Sequence, residues 1–339
     1  MVFVSATAPG DVAKVKITAK KSKFYEGELI QLIEPSPHRR TPPCPVAGRC
    51  GGCAWQHLNY SEQVIQKENI LRSSFKKLKN FEWRSFLTAP DEFHYRNRIQ
   101  LQVRDGQKGF FALRTRELVP IHQCYIAEPA LNEKMNRLSP QELQASKIEL
   151  ALSEAGDVLV MPGARDPEAA LFAQVNRAQN EVLKKETLAA IGVRPEWLMD
   201  LYAGSGNLTA PLHHQYPDVP LLAVELSKSA VQRGKILLPK VEWQSGDVAR
   251  VLKSRTRSRG IGVVVLDPPR TGCSEEVVVE LLRLKPQQII YISCNPMTFA
   301  RDAERLVAEG VYRLDHVRGL DMFPQTEHVE VISSFSLKT

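Results

Sequence analysis

The sequence predicts an α/β protein with a doubly wound, mostly parallel sheet in its second half, preceded by a central α+β domain and a small β module. From about residue 170, short apolar runs such as LLAVEL and IGVVVLD alternate with helical stretches, which is typical of buried parallel strands joined by helices. Residues 36–165 mix a helical segment with strand-like ones, and residues 1–35 alternate in polarity as strands do. We therefore expect domains at 1–35, 36–165 and 166–339.

Composition limits the class of protein. Of the 339 residues, 43% are apolar and 24% charged, which is usual for a globular protein. No apolar run approaches the length of a membrane span, and the N-terminus lacks the charged-then-apolar pattern of a signal peptide. We expect a cytoplasmic monomer that does not bind membranes. Its net charge of +7 is compatible with a polyanionic partner but does not require one.

The N-terminal β module is predicted from two alternating segments, VAKVKITAK and YEGELIQLI. It ends at EPSPHRRTPP, a basic, turn-rich stretch that is typical of a linker.

The central domain contains a candidate metal site. Cys44, Cys50, Cys53 and Cys124 supply four thiols, the number that a cubane iron-sulfur cluster binds. Gly51 and Gly52 would let backbone amides approach the cluster sulfurs. In a reducing compartment, cysteines more often bind metals or act in catalysis than form disulfides. A structural zinc stays open, although zinc sites usually have two close cysteine pairs. A radical S-adenosylmethionine site fits less well, because it has three cysteines with a tighter first spacing.

Basic and aromatic residues interleave in the segment HYRNRIQLQVRDGQKGFFALRTR, which includes Arg96, Arg98, Arg114 and Arg116. Backbone neutralisation together with base stacking is what single-stranded RNA requires. These arginines are therefore candidate RNA-binding residues. A solvated strand face is the alternative for each of them.

The first strand of the parallel sheet is predicted to end in a glycine-rich turn, DLYAGSGN, at residues 200–207. Glu225 ends the next strand, where an acidic side chain accepts hydrogen bonds from ribose hydroxyls. This pair favours a cofactor that contains adenosine. The third glycine of the dinucleotide fingerprint is missing, and Thr209-Ala210-Pro211 stands where a pyrophosphate-binding helix normally continues. Both departures favour S-adenosylmethionine, which has no phosphate, over NAD.

Two further strand ends carry candidate catalytic groups. Asp267 precedes two prolines, which form a rigid turn at the ligand edge of the sheet. Methyltransferases of exocyclic amines have an aromatic residue after these prolines, whereas this chain has Arg270, which makes that reaction less favoured. Cys294, in ISCNP, follows an apolar strand. A buried packing role is the alternative for Cys294, and we expect Cys273 to be a packing residue.

A thiolate at Cys294 is suited to one particular reaction. Addition of the thiolate to carbon 6 of uracil makes carbon 5 nucleophilic enough to attack a methyl donor. A base must afterwards remove the proton from carbon 5. Glu330, in FPQTEHVE, is a candidate for this base, and Glu327 and His328 are its rivals.

In this order and spacing, DLYAGSGN, LDPPRTG, ISCNP and FPQTEHVE resemble the RNA 5-methyluridine methyltransferases, the family of the 23S rRNA and tRNA uracil-5 enzymes. The resemblance implies a Rossmann-like class I S-adenosylmethionine methyltransferase domain, with Cys294 as nucleophile and Glu330 as base. It implies that the cofactor is bound by Gln174, Tyr202, Asn207, Glu225, Asp267 and, less firmly, Asp247. The branch that acts on 23S rRNA has a four-cysteine [4Fe-4S] cluster, which makes 23S rRNA the expected substrate and the tRNA T-loop the alternative.

Members with this cluster usually begin with a TRAM domain, a small RNA-binding β-barrel. This chain begins inside the region that resembles such a barrel, so we expect a partial TRAM-like module at 1–35. Two other classes of function stay open from the residues alone. One is a nicotinamide oxidoreductase that uses the cluster for electrons, and the other is a non-catalytic RNA-binding assembly factor.

Overall fold

The computed structural model describes residues 1–153, 155–163, 174–256, 260 and 262–338. The chain divides into two compact units. Unit 1 contains Met1–Gln66, Asp91–Arg165 and Phe323–Glu327, and unit 2 contains Lys67–Pro90, Asp166–Met322 and His328–Thr339. The predicted domain boundaries after residues 35 and 165 stay predictions, and the second of them falls outside the described residues.

Sixteen strands and eight α-helices are described. In chain order they are β1 (Val2–Val4), β2 (Val12–Lys20), β3 (Tyr25–Glu34), α1 (Tyr60–Ser74), β4 (Glu82–Trp83), β5 (Arg98–Arg104), β6 (Gln107–Phe111), β7 (Leu118–Pro120), α2 (Pro129–Asn136), β8 (Lys147–Leu152), β9 (Val158–Pro162), α3 (Arg177–Ala189), β10 (Trp197–Leu201), α4 (Thr209–Gln215), β11 (Leu221–Glu225), α5 (Lys228–Leu237), β12 (Glu242–Ser245), α6 (Val248–Ser254), β13 (Gly262–Leu266), α7 (Glu275–Leu284), β14 (Gln288–Ser293), α8 (Pro296–Ala308), β15 (Tyr312–Leu320) and β16 (Glu330–Leu337).

Unit 1 contains two sheets. Three strands form the first, in the order β1-β3-β2, and five antiparallel strands form the second, in the order β7-β6-β5-β8-β9. The alternation in β5 places Ile99, Leu101 and Val103 on one buried face, where Leu131 and Met135 of α2 belong to the same apolar core. The strands predicted from VAKVKITAK and YEGELIQLI are confirmed as β2 and β3, and residues 36–165 contain strands as predicted.

Unit 2 is built on one eight-stranded sheet with the order β12-β11-β10-β13-β14-β16-β15-β4. Strands β10 to β14 are parallel, and β16 runs antiparallel to β14. All five residues of β13 are buried, which explains its uninterrupted apolar sequence. The predicted doubly wound, mostly parallel sheet is confirmed. Strand β12 was not predicted, because its sequence EWQS buries only Trp243 at the end of the sheet.

The sheet order determines where ligands can bind. Because β11, β10, β13 and β14 are parallel neighbours, their carboxyl ends lie along one edge of the sheet. Glu225, the glycine-rich turn, Asp267 and Cys294 follow these ends in that order. Among the helices that the structure describes, none has both the length and the apolar content needed to span a membrane.

Candidate active site

The glycine-rich turn after β10 bends through several residues with left-handed backbone conformations. Tyr202 has φ of 65°, Gly204 of 57° and Gly206 of 109°. A Cβ placed on Gly204 would meet no atom within 4 Å, so the space beside this turn is open. The turn and Asp267 line a small cavity of about 30 Å³ at the carboxyl edge of the sheet. The chain therefore brings backbone close to any ligand that binds there.

Glu225 is fixed beside this turn by two backbone donors. The Gly204 amide donates to its Oε2 at 3.0 Å, and the Ser227 amide donates to its Oε1 at 2.8 Å. Each carboxylate oxygen can accept a second hydrogen bond. The half-buried Glu225 thus has accepting capacity left for a hydroxyl-bearing ligand.

Three carboxyl groups stand along this edge of the sheet. Burial, together with the charges of Asp267 and Glu225, raises the pKa of Asp200 to about 7, and burial raises that of Asp267 to about 6. Thr209 donates to Asp200 at 2.5 Å and opposes the increase. Among the ion pairs formed by described residues, none includes Asp200, Glu225 or Asp267. This edge would stabilise a cationic ligand.

The other residues expected to bind the cofactor have different surroundings. Asn207 forms a reciprocal amide pair with Asn180, with N–O distances of 2.9 and 3.0 Å. Exposed Asp247 caps α6 by accepting from the Arg250 amide at 3.0 Å. Gln174 is half-buried and lies just before the start of α3. Their roles toward a cofactor stay predictions.

Tyr202 and Cys273 belong to a buried polar network that the sequence did not reveal. Burial raises the pKa of the Tyr202 hydroxyl well above its usual range, and this hydroxyl is hydrogen-bonded to the Cys273 thiol. Asp302 accepts from the Cys273 amide and from the Tyr291 hydroxyl, both at 2.8 Å. Cys273 is buried, as expected of a packing residue, but it also links Tyr202 to Asp302. Asp302 could have been suspected only from its place on the apolar face of α8.

The turn after β13 is tied to the start of α8. The side chains of Asn295 and Thr298 both donate to the backbone oxygen of Arg270, each at 3.1 Å. Asn295 also caps α8 by accepting from the Met297 amide at 3.1 Å. The residues that follow Cys294 are thus held against the DPPR turn.

Cys294 lies between the end of β14 and the start of α8 and is half-buried. Burial, together with the charges of Glu330 and Asp267, raises the pKa of the Cys294 thiol to about 11. Arg270 acts in the opposite direction, since its positive charge favours the thiolate. The free thiol is therefore protonated near neutral pH and needs activation.

Glu330 is the first residue of β16 and is 3% exposed. Because Ser293 of β14 pairs with Val331, one further step of this antiparallel register places Cys294 opposite Glu330. Burial and the charge of Asp267 raise the pKa of Glu330, while Arg270 lowers it. The structure thus brings the predicted nucleophile and the predicted base together, with one arginine affecting both.

The rival bases have other environments. Glu327 is exposed and belongs to unit 1, and His328 is half-buried. Of the three candidates, Glu330 is the buried one, in the strand beside Cys294.

The four N-terminal cysteines converge in unit 1. All four line a cavity of about 220 Å³, together with apolar side chains and Arg96. Burial and, to a smaller extent, neighbouring cysteines raise the pKa of the Cys50, Cys53 and Cys124 thiols, and together they bring that of Cys53 to about 12. Among the described residues, no three His, Cys, Asp or Glu side chains are arranged to hold a metal ion.

The candidate RNA-binding arginines fall into two groups. Arg96 lines the cysteine cavity, and Arg98 pairs with the buried Glu149 at 2.5 Å, so part of its charge is neutralised. Arg114 and Arg116 are exposed in the loop between β6 and β7. The second group has its charge facing solvent.

Comparisons with known proteins show which family this chain resembles. A family model described as tRNA (uracil-5-)-methyltransferase matches residues 246–336. An uncharacterised RNA methyltransferase of Bdellovibrio bacteriovorus is 37% identical, and the alignment covers 98% of this chain and 88% of the relative. The 23S rRNA (uracil(1939)-C(5))-methyltransferase RlmD of Pseudomonas fluorescens is 30% identical, with the same two coverages.

The structure is also similar to the crystal structure of Pyrococcus abyssi tRNA (uracil-54, C5)-methyltransferase in complex with S-adenosyl-L-homocysteine. The TM-score is 0.76 at 24% identity, covering 98% of this chain and 95% of that one. This likeness supports the class I methyltransferase α/β fold for unit 2. Given its relatives at 30% identity or more over nearly its whole length, the chain belongs to the RNA uracil-5 methyltransferase family.

Proposed function

We propose that this protein methylates carbon 5 of a uridine in 23S rRNA, with S-adenosylmethionine as methyl donor. Family membership supports the reaction class, and the RlmD relatives support the substrate. The observation that carries the mechanism is the placement of Cys294 opposite Glu330, with Asp267 and Arg270 acting on both groups.

The charges at the edge of the sheet favour S-adenosylmethionine over a dinucleotide. Asp200, Glu225 and Asp267 form a carboxyl-rich edge, which attracts a sulfonium and repels a pyrophosphate. Glu225 has accepting capacity for ribose hydroxyls. S-adenosylmethionine supplies the electrophilic methyl carbon when bound.

The first chemical step belongs to Cys294. Its thiol gives its proton to solvent, and the sulfur adds to carbon 6 of uracil while the carbon 5–carbon 6 π electrons move to oxygen 4 as an enolate. Because the thiol pKa is about 11, proton loss requires the nearby Arg270 or the bound substrate to stabilise the thiolate. Carbon 5 of the enolate would then bond to the methyl carbon while the bond from that carbon to the sulfonium sulfur would break, leaving a neutral thioether as the second product.

The last step belongs to Glu330. Its carboxylate removes the proton from carbon 5, the carbon 5–carbon 6 double bond re-forms, and the sulfur–carbon 6 bond breaks to return the thiolate. A carboxylate whose pKa is raised by burial is a stronger base than an ordinary glutamate, which suits this proton transfer. Deprotonated Glu330 is the competent form.

The target uridine must be unstacked, because carbons 5 and 6 are out of reach in a paired base. The exposed Arg114 and Arg116 would neutralise phosphates of the RNA around the target.

We also propose that the four cysteines bind a [4Fe-4S] cluster. Zinc–sulfur bonds of about 2.3 Å would bring four sulfurs to within about 4 Å of one another, whereas each cubane thiolate binds a separate iron and the sulfurs stand further apart. The cavity lined by four cysteines supplies the four thiolates that a cubane binds. The Gly52 amide donates to the Cys50 sulfur at 3.5 Å, a contact that would stabilise a thiolate ligand.

One experiment tests both the reaction and the substrate. Total RNA from cells with and without the gene is mapped for 5-methyluridine. We expect one 23S rRNA position to lose its methyl group and to regain it in vitro with purified protein. Loss in the tRNA T-loop instead would support the alternative suggested by the matched family model and the Pyrococcus enzyme, and no loss in either RNA would reject the proposal.

A further inference from the structure

The segment Phe323–Glu327 belongs to a different compact unit from the residues on either side of it in the chain. Residues before and after it belong to unit 2, whereas these residues belong to unit 1. Glu330 follows shortly after, as the first residue of β16. The attachment of this segment therefore fixes one end of the short connection that leads to the proposed base.

Gln325, at the centre of the segment, is fully buried and held by side chains of unit 1. Its side-chain oxygen accepts from Arg40 at 2.9 Å and from Gln63 at 3.0 Å, and its side-chain nitrogen donates to Glu92 at 3.0 Å. Its backbone nitrogen donates to Gln63 at 2.9 Å, and its backbone oxygen accepts from the Trp55 amide at 3.0 Å. We call Arg40, Gln63 and Glu92 the Gln325 clamp.

The clamp holds a backbone conformation that glutamine does not favour. Gln325 has φ of 71°, in the left-handed region, which residues other than glycine rarely adopt. Such a conformation persists only where surrounding contacts over-determine it. Arg40 and Glu92 also form an ion pair of 2.7 Å, which keeps the two charged members of the clamp in place.

The clamp is supported from the cysteine cavity. The Arg40 Nε donates to the backbone oxygen of Gln56 at 3.1 Å. Gln56 lines the cavity, accepts from the Cys44 amide at 3.3 Å through its side chain, and hydrogen-bonds the Cys53 thiol. A continuous series of hydrogen bonds thus joins the cysteine site to Gln325.

We propose that Arg40 and Gln325 are positioning residues for Glu330, and that Gln56 supports them from the cysteine cavity. The proposal rests on the proposed function, because it assigns the clamp to the step in which Glu330 removes the carbon 5 proton. Proton transfer depends on sub-ångström placement of the base, so a loosened clamp should slow elimination far more than it slows the attack by Cys294.

The chain offers a matched control in the adjacent arginine. Arg39 pairs with Asp11 at 2.6 Å in the same unit, and its side chain donates hydrogen bonds to Asp11 and to the backbone oxygen of Ala6. Arg40→Lys retains the positive charge opposite Glu92 but loses the planar guanidinium group, which donates hydrogen bonds to both Gln56 and Gln325. Arg39→Lys makes the same chemical change without touching the clamp.

The test follows a single turnover with labelled RNA and measures the methylated covalent adduct on a denaturing gel beside the released product. We expect Arg40→Lys to accumulate adduct and to release product on the order of 10- to 100-fold more slowly, with attack and cofactor binding little changed. Arg39→Lys should behave as wild type. Equal loss of adduct and product in Arg40→Lys, or adduct accumulation in Arg39→Lys as well, would overturn the proposal.

A second variant removes the side chain that the clamp holds, without straining the backbone. Gln325→Gly tolerates the left-handed backbone, so its fold should persist while its side-chain contacts are lost. We expect it to accumulate adduct as Arg40→Lys does; wild-type turnover would show that the contacts have no positioning role. Gln56→Ala should speed hydrogen exchange at the Gln325 amide, and unchanged exchange would remove Gln56 from the account. If wild-type protein forms no adduct with 5-fluorouridine RNA, the proposed function itself fails, which distinguishes the two failures.

Discussion

Cys294 and the four cysteines of unit 1 carry the same side chain in opposite surroundings. Cys294 lies between the end of β14 and the start of α8, where burial and the charges of Glu330 and Asp267 raise its pKa and Arg270 lowers it. Cys44, Cys50, Cys53 and Cys124 share one cavity, where burial and neighbouring thiols act on three of them. A single thiol beside an acid and a cation is suited to reversible covalent chemistry, whereas four converging thiols are suited to binding metal.

The difference shows that neighbours, and not the residue type, determine what a cysteine can do. Cys273 makes the same point, because it is buried next to Tyr202 and Asp302 with neither a second thiol nor an exposed edge. Burial raises its pKa to about 12, so it stays protonated and unreactive.

The largest expected effect separates Cys294 from Cys273. Cys294→Ala should lower methylation by a factor on the order of 10⁴ or more, because no other group can form the bond to carbon 6. Folding, iron content and cofactor binding should persist, as circular dichroism, iron analysis and calorimetry can check. Cys273→Ala is the control and should retain methylation; activity in Cys294→Ala would mean that another residue is the nucleophile.

The four-cysteine cavity is tested by iron content. Anaerobically purified protein should hold about four irons per chain, and Cys53→Ser should lose them. Cys53→Ser should still form the covalent adduct with 5-fluorouridine RNA, because Cys294 is untouched. Zinc without iron in the wild type would reject the cluster, and loss of adduct in soluble Cys53→Ser would contradict the separation of the two sites.

A smaller effect is expected at Glu225. Glu225→Ala removes an acceptor for ribose hydroxyls, and a hydrogen bond to a charged group contributes about 1.5–3 kcal/mol, so S-adenosylmethionine should bind about 10- to 150-fold more weakly. Calorimetry measures the dissociation constant for S-adenosylmethionine directly. Asp247→Ala is a matched control on an exposed carboxylate and should weaken binding less; the reverse order would mean that the ribose is held elsewhere.

The smallest effect concerns the pKa of Cys294. Arg270 lowers this pKa and Glu330 raises it, so Arg270→Ala should move the alkaline limb of thiol alkylation to higher pH and Glu330→Gln should move it to lower pH. At a fixed pH near 8, alkylation should become several-fold slower in the first variant and faster in the second. Mass spectrometry of the Cys294 peptide measures both, and shifts in the same direction would contradict the assigned electrostatics.

Much of unit 2 could be predicted from the sequence because its strands are buried on both faces. The apolar runs of β10, β11, β13 and β14 can be recognised as strands in the sequence. Ligands of a doubly wound sheet bind at the carboxyl ends of such strands. The half-polar β12 escaped prediction, since one buried tryptophan gives no periodicity. The glycine-rich turn does lead into α4 at Thr209, and Pro211 lies in its first turn, where a missing N–H costs little.

The polar contacts around the site could not be predicted in this way. The Asn207–Asn180 pair, the Asp302 network and the Gln325 clamp join residues far apart in the chain, and no local pattern links their members. Apart from the family resemblance, Glu330 was a candidate by residue type only, as were Glu327 and His328. Only the register of β14 against β16 placed it opposite Cys294 and separated it from Glu327.

The central claim is that Cys294 forms the covalent bond and Glu330 ends it. Its most direct test is denaturing gel electrophoresis of Glu330→Gln after reaction with S-adenosylmethionine and labelled RNA. We expect a stable protein–RNA adduct that contains the new methyl group, and no adduct in the double variant Cys294→Ala/Glu330→Gln. An adduct that persists without Cys294, or full turnover by Glu330→Gln, would contradict the account and make Glu327 and His328 the next candidates for the base.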